Sequence, residues 1–145
     1  MENVKRLDVA PVGAQVKDLE VDRISLSKGR VRIRCEDGEH VLNLRGLRDG
    51  DYFMWRNSVY RLMQSKERVL KFTLKDSWEA FKLGFAIGNL HQRVMVQDNF
   101  VYLSIEENKV LQEAFSDFKP EVVETKFFPN LEIPIRGEVI DFVDH

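Results

Sequence analysis

Apolar and polar positions alternate in short segments over residues 16–64, including Arg23–Leu26. A period of two places successive side chains on opposite faces of a β-strand. Turn pairs such as Lys28-Gly29 and Asp37-Gly38 separate the segments, and Asp-Gly between alternating runs is typical of β-hairpins. The pattern predicts a small all-β domain over residues 1–66.

The hydrophobic period changes after residue 66, where strand patterns and helical patterns follow one another. The predicted elements are, in order, a strand at Val69–Leu74, a helix at Asp76–Leu90, strands at Arg93–Gln97 and Phe100–Ile105, a helix at Glu106–Phe118 and a strand at Val122–Phe128. The order β-α-β-β-α-β is that of the ferredoxin-like split βαβ arrangement. We therefore expect an α+β protein with a ferredoxin-like domain at 67–129 and a C-terminal tail at 130–145.

The first of these helices has a marked start and a strip of small residues. Asp76 or Ser77 can supply the N-cap oxygen, and Glu79 lies in the first turn, where a carboxylate suits the helix dipole. At about 100° per residue, one narrow face carries Ala80, Gly84, Gly88 and His91. The helix thus presents a small-residue face that ends in an imidazole.

Glycine inside a helix costs roughly 1 kcal/mol relative to alanine, so Gly84 and Gly88 need a structural reason. Close approach of another backbone is the usual one. Gly88-Asn89 is also a typical helix-ending pair, because both residues tolerate the left-handed conformation. His91 would then lie at or just past the helix end, as a polar C-terminal cap or as a ligand.

Composition limits the class of protein. The 145 residues are 43% hydrophobic and 32% charged with a formal net charge of −2, as in soluble globular proteins. No apolar run approaches the roughly 18 residues that span a bilayer, and no secretory signal follows the N-terminus. We expect a cytoplasmic protein without membrane contact. The net charge gives no general attraction to nucleic acid, and we expect no nucleic-acid partner. The row Arg30, Arg32 and Arg34 is interpreted as the solvated side of a strand, with a partner-binding or nucleic-acid face as the alternative.

Few residues offer metal or thiol chemistry. Cys35 is the only cysteine, which excludes an internal disulfide, and its alternating context favours a strand position. His40 follows the acidic turn 36–39 and could join an oxygen-rich metal site, although an exposed hairpin histidine is the simpler interpretation. Asp144 and His145 add metal-capable groups near the C-terminus, where a frayed acidic terminus is the alternative.

Nothing in the sequence assembles a catalytic site. It has no glycine-rich phosphate loop, no Gly-x-Ser-x-Gly, no His-Glu-x-x-His, and no marked base beside Cys35. We expect a binding protein and not an enzyme. One His91 per chain is a poor metal site, but two copies meeting at a two-fold axis would present a pair of imidazoles, which suit nickel as well as copper or zinc.

The run Gly88-Asn89-Leu90-His91 resembles the Gly-Asn-x-His signature of the UreE family of urease accessory metallochaperones. Its place in a helix-to-strand unit over Ala80–Val96 is similar to that family as well. Leu47–Asp51 resembles a turn of the family's N-terminal domain, and Asn108–Leu111 resembles its Asp-His-Val-Leu. The chain departs from the family at Lys109, where many members have histidine, and it lacks the histidine-rich tail of some members.

The resemblance implies a nickel metallochaperone that forms a homodimer. His91 and its symmetry mate would hold nickel between protomers, with His145 and Asp144 as further ligands and Ala80, Gly84 and Gly88 as the dimer face. Zinc or copper would bind in vitro, and no organic cofactor is expected. The partners would be the urease apoprotein and its GTPase accessory proteins, contacted in part by the N-terminal domain. The alternative is a non-catalytic ferredoxin-like module that binds protein or RNA.

Overall fold

The computed structural model describes residues 1–106 and 108–132. The chain divides into two compact units, Met1–Lys66 and a second unit that begins at Glu67. Strands predominate over helices in the described residues, which agrees with the expected α+β class. Among those residues, no helix is both long enough and apolar enough to cross a membrane.

The N-terminal unit is built from strands and one short helix. Its elements are β1 (Glu2–Asn3), β2 (Lys5–Leu7), β3 (Val16–Val21), α1 (Arg23–Lys28), β4 (Arg30–Cys35), β5 (Gly38–Asn43), β6 (Tyr52–Trp55) and β7 (Ser58–Gln64). One sheet has the order β1-β5-β4, and the other has the order β2-β6-β7-β3. The core contains Val21, Leu42, Leu44, Leu47, Phe53, Trp55 and Leu62.

The segment Arg23–Leu26 is helical, so its prediction as an alternating segment of the β domain is wrong. The Asp22 carboxylate accepts hydrogen bonds from the Ser25 backbone N–H at 3.0 Å and from the Ser25 hydroxyl at 2.7 Å. Gly29 ends the helix in the left-handed region, with φ 74°. A side-chain N-cap and a glycine C-cap thus enclose one short helix and override the period-two pattern.

The second unit contains one four-stranded antiparallel sheet. Its elements are β8 (Glu67–Thr73), α2 (Ser77–Asn89), β9 (Met95–Gln97), β10 (Phe100–Ser104), α3 (Leu111–Ala114), a 3₁₀ helix (Ser116–Phe118) and β11 (Glu121–Thr125). The strand order is β11-β8-β10-β9, with β8 and β10 in the centre. The core on the helix side includes Leu70, Phe72, Leu83, Ile87, Leu103, Leu111 and Phe115.

The predicted helix over Glu106–Phe118 is wrong in length, because the described residues of that range form only α3 and the 3₁₀ helix. Glu106 lies outside them, and its carboxylate accepts the backbone N–H of Arg68 at 3.0 Å. The Asn108 side chain accepts the Val110 N–H at 3.3 Å, which forms a local turn instead of helix.

Two predicted strands are also too long. The structure has β9 over Met95–Gln97 instead of Arg93–Gln97, and β11 over Glu121–Thr125 instead of Val122–Phe128. Among the described residues, Val94 forms only an isolated bridge with Leu131, so the segment before β9 pairs there and not with β10.

Candidate metal centre

Helix α2 begins as its sequence predicts. The Asp76 carboxylate accepts the backbone N–H of Glu79 at 2.8 Å, and Asp76 itself is extended, with φ −151° and ψ 172°. Leu83 and Ile87 are buried against the sheet and fix the orientation of the helix. Because Leu83 and Ile87 face the sheet, residues on the opposite side of α2, such as Lys82 and Phe85, face outwards.

His91 lies two residues beyond the end of α2 and is exposed. Its φ is 53°, so the left-handed residue at this helix end is His91. The sequence had indicated Gly88 or Asn89 instead. The His91 backbone N–H donates to the Gly88 carbonyl oxygen at 3.0 Å and satisfies the helix end. Within the described part of the chain, no side chain is hydrogen-bonded to the His91 ring. The imidazole nitrogens are therefore accessible to an ion.

The small residues of α2 line an apolar groove of about 410 Å³. Ala80, Gly84 and Gly88 lie on its helical side, and Val96 of β9, Val101 of β10 and Val94 just before β9 lie on the other. A Cβ added at Gly84 would meet nothing within 4 Å. The close backbone approach expected at Gly84 is therefore not made by the described residues, which leave open space above Gly84.

The last described residues border the same groove. Val94 donates its N–H to the Leu131 carbonyl oxygen at 2.9 Å, and the Asn130 side chain accepts from the Val96 N–H at 2.8 Å. Leu131 and Glu132 contribute to the groove lining. Asp144 and His145, which the sequence offers as further ligands, lie outside the described residues.

A second side of α2 carries three exposed aromatic residues. Trp78, Phe81 and Phe85 are 67%, 66% and 63% exposed, and neighbouring rings stack with centroids 6.4 Å apart. Their spacing of three and four positions is the helical neighbour spacing, so they form one ridge. Exposed apolar residues joined in this way mark a contact surface more often than scattered ones do.

The aromatics of β10 are not arranged as in an RNA-recognition sheet, where exposed rings stack on bases. Tyr102 is buried in a cluster with Val69, Met95 and Phe127. Phe100 is only half-buried, but the Lys71 ammonium lies 4.1 Å from its ring centroid. This sheet face is covered by the protein's own side chains.

A third group of metal-capable residues lies in the β4–β5 hairpin. Donor atoms of Cys35, Asp37 and His40 all lie within 4.8 Å of one another. His40 lies in the hairpin as expected, although its side chain is only 13% exposed. The turn folds Asp37 back towards residues on β4 and β5, which brings a histidine and a carboxylate close to Cys35, where the sequence marked no base.

Hydrogen bonds and charge shift the pKa values of this group. Arg56 first, and then His40, lower the pKa of Asp37 to about 2. Asp37 and then Glu2 raise the pKa of His40. Burial raises the pKa of Glu2, but hydrogen bonds from His40 and Trp55 outweigh it, and the net pKa is lowered. These shifts favour the ionised carboxylates of Glu2 and Asp37 and the protonated imidazole of His40.

Comparison with known proteins points to urease accessory proteins. No protein-family model matches the chain. Two curated relatives, both named urease accessory protein UreE and both from Prochlorococcus marinus subsp. pastoris, are 27% identical to it over 89 residues. The match covers 59% of this chain and 56% of each relative, so it spans little more than half the length of those proteins. At this level of sequence identity, the chain is described as UreE-like.

Proposed function

We propose that this protein is a metallochaperone that binds nickel between two protomers and delivers it for assembly of the urease metallocentre. His91 and the same residue of a second copy hold the ion, and Asp144 and His145 supply further ligands. Residues 67–129 act as a ferredoxin-like metal-binding domain. Nickel is the cargo, so the site must both bind it and release it.

The accessible ring of His91, at the end of a helix with an open small-residue face, carries the proposal. A structural zinc site needs about four protein ligands in a closed shell. A carrier needs fewer ligands and an exposed ion, which a recipient can then coordinate. The strand order β11-β8-β10-β9 with helices between strands agrees with a split βαβ domain, and the relatives' name describes an accessory role.

The groove along α2 is the proposed dimer face. A two-fold contact uses the same patch on both chains, so small residues in the patch let two helices approach closely. Ala80, Gly84 and Gly88 are the small residues of this groove, and Gly84 has open space above it. His91 follows this face, so a two-fold axis near the helix ends brings both imidazoles together. Imidazole pairs suit nickel, and they also bind copper or zinc.

The remaining features of the proposal follow from this role. Residues 1–66 would contact the urease apoprotein and its GTPase accessory proteins, in the cytoplasm. The protein would act without catalysis and without an organic cofactor. The alternative of an RNA-binding module gains no support from the buried ring of Tyr102, whereas the ridge of Trp78, Phe81 and Phe85 favours contact with a protein.

Nickel titration of the purified, tag-free protein, combined with native mass spectrometry, tests the proposal. We expect half a nickel ion per chain and a dimer mass for the loaded form. His91→Ala should remove this bound nickel, while Lys82→Ala, an exposed substitution on the same helix, should retain it. Acidification should release the ion, since a protonated imidazole cannot donate to a metal.

Two results would count against the proposal. Tight nickel binding by His91→Ala would exclude His91 as the bridging ligand. A nickel-loaded species with the mass of one chain would exclude binding between protomers, even if His91 were a ligand. Absence of nickel binding to the wild-type protein would leave a protein-interaction module as the better account.

A further inference from the structure

The β4–β5 hairpin brings three different metal-ligand chemistries onto one face. His40 lies directly opposite Ile33 in the antiparallel register, and Cys35 follows Ile33 by two positions. Side chains of directly paired residues and of alternate residues point to the same side of a sheet. Asp37 occupies the two-residue turn between the strands. The donor atoms of Cys35, Asp37 and His40 accordingly lie within 4.8 Å of one another.

A fourth residue orients the imidazole. Oε2 of Glu2 lies 2.6 Å from Nδ1 of His40, which leaves Nε2 directed towards Asp37, whose Oδ1 is 2.8 Å away. Metal-binding histidines commonly donate their second ring N–H to a carboxylate in this way. The Trp55 indole N–H donates to the other Glu2 oxygen at 3.2 Å and holds that carboxylate in place.

Arg56 holds the Asp37 carboxylate through one oxygen and leaves the other oxygen to face His40. The guanidinium donates to Oδ2 at 2.8 Å, and Oδ1 is the atom that faces His40. Arg56 also approaches Nδ1 of His40 at 3.3 Å, but the shorter contact with Glu2 identifies the partner of that nitrogen. Each carboxylate is therefore held through one oxygen and faces the ring with the other.

We propose that Cys35, Asp37 and His40 form a site for Zn²⁺ or a similar divalent ion in the N-terminal unit, with Glu2 positioning the imidazole and a fourth coordination position open. Zinc takes thiolate, imidazole and carboxylate ligands at about 2.0–2.3 Å in tetrahedral geometry, so its donor atoms lie about 3.5 Å apart. His40 Nε2 and Asp37 Oδ1 lie 2.8 Å apart and would open slightly to reach this spacing, whereas donor atoms near the 4.8 Å limit would close by on the order of 1 Å. Asp37 sits in an exposed turn, and its side chain can make part of that movement.

The charges of the cluster are compatible with a divalent ion despite the nearby arginine. Binding replaces the thiol proton of Cys35 and the proton on Nε2 of His40 with one doubly charged ion. The total charge of the cluster is then the same before and after binding, so Arg56 meets no additional positive charge. The two protons are released to solvent, as when metals bind other thiol and imidazole ligands.

Cobalt binding in the His91→Ala background tests this proposal separately from the nickel site. Co²⁺ bound to a thiolate gives a sulfur-to-cobalt charge-transfer band in the near ultraviolet. We expect this band on adding Co²⁺ to the full chain, its loss in Cys35→Ser, and its displacement by Zn²⁺. Failure of nickel binding at His91 would not change this spectrum, because Cys35 is the only cysteine and the band reports its thiolate alone.

A thiol-reactivity assay gives a second readout. We expect Zn²⁺ to slow modification of Cys35 by a disulfide reagent at least tenfold, and His40→Asn or Asp37→Asn to remove most of that protection. Circular dichroism of the variants checks that the hairpin unit still folds. If neither the cobalt band nor zinc protection appears in the folded protein with intact Cys35, Asp37 and His40, the proposal is overturned. Cys35 would then be a small residue packed against the core and His40 a structural partner of Glu2.

Discussion

The backbone N–H of His91 donates to the carbonyl oxygen of Gly88 across 3.0 Å, while the His91 ring stays exposed. The helix end is thus closed by the backbone of His91 and not by its side chain. A φ of 53° is unfavourable for a residue with a Cβ, by roughly 1–2 kcal/mol, and glycine is the usual residue there. Arg56, Asn57, Asp98 and Lys119 also have positive φ, so the conformation of His91 does not by itself assign a role to the ring.

His91→Gly and His91→Ala separate the backbone role from the ligand role. Both variants lack the imidazole and should lose the bridging nickel. His91→Gly should be more stable than His91→Ala by about 1 kcal/mol, because glycine adopts the left-handed conformation without a Cβ clash. Urea unfolding of the two variants measures the difference. A large loss of stability in both, with nickel retained, would instead assign the ring a structural role.

Gly84 distinguishes a requirement of the fold from a requirement of the dimer. Gly84→Ala should raise the free energy of unfolding of the monomer by about 1 kcal/mol, since the residue is helical and its Cβ would meet nothing within 4 Å. Gly84→Leu should weaken dimerisation, because its side chain would fill the groove. Sedimentation of both variants measures dimerisation. Lys82→Leu adds similar bulk on the opposite face of α2, and an equal effect there would place the dimer contact elsewhere.

Asp22 gives a prediction for pH dependence. Burial raises its pKa, but hydrogen bonds from the Ser25 hydroxyl and N–H outweigh it, and the net pKa is lowered. A lowered pKa means that the stabilisation is present above the unfolded-state value of about 3.9 and is lost as the pH falls through the folded-state value. Asp22→Ala should cost about 1 kcal/mol at pH 7 and progressively less in acid.

Urea midpoints of wild type and Asp22→Ala between pH 7 and pH 3 measure this effect. Asp22→Asn is the matched control, because asparagine also caps helices but carries no charge. Neither variant titrates at this position, so the difference between Asp22→Asn and Asp22→Ala should stay constant, while the difference of each from wild type changes equally with pH. A constant cost of Asp22→Ala over the whole range would show that the carboxylate charge contributes nothing to α1.

The sequence correctly predicts an element when residues within that element determine where it begins or which of its side chains are buried. Asp76 and Glu79 mark the beginning of α2, and the structure confirms the hydrogen bond between them. The alternation in β6 likewise agrees with the burial of Phe53 and Trp55. Local hydrogen bonds of single residues explain where the prediction fails, as with Asp22 at α1 and Asn108 before α3.

The candidate sites differ in how far the sequence could predict them. Ala80, Gly84 and Gly88 lie within α2, so helical spacing was sufficient to place them along one groove. His91 lies two residues beyond the helix, and its position on that face stays a prediction. The sequence associated His40 with the acidic turn 36–39 but not with Cys35 or Glu2. Glu2 lies 38 positions before His40 and reaches it through the parallel pairing of β1 with β5. The one local signal was the spacing Cys-x-Asp-x-x-His across a predicted hairpin. This spacing brings the three side chains to one face only if the turn has two residues, which the sequence did not establish.

The C-terminal ligands provide the last prediction. If Asp144 and His145 complete the nickel shell, His145→Ala should weaken nickel binding by roughly tenfold, the change that a ligand contribution of about 1.4 kcal/mol produces. Asp144→Asn should have a similar but smaller effect, since an amide oxygen is a weaker ligand than a carboxylate. Calorimetric titration measures both affinities. The metal-free protein should keep its wild-type thermal stability and dimer mass if these residues contribute only as ligands. Unchanged nickel affinity in the double variant would restrict the site to the paired His91 residues and to ligands supplied by the recipient.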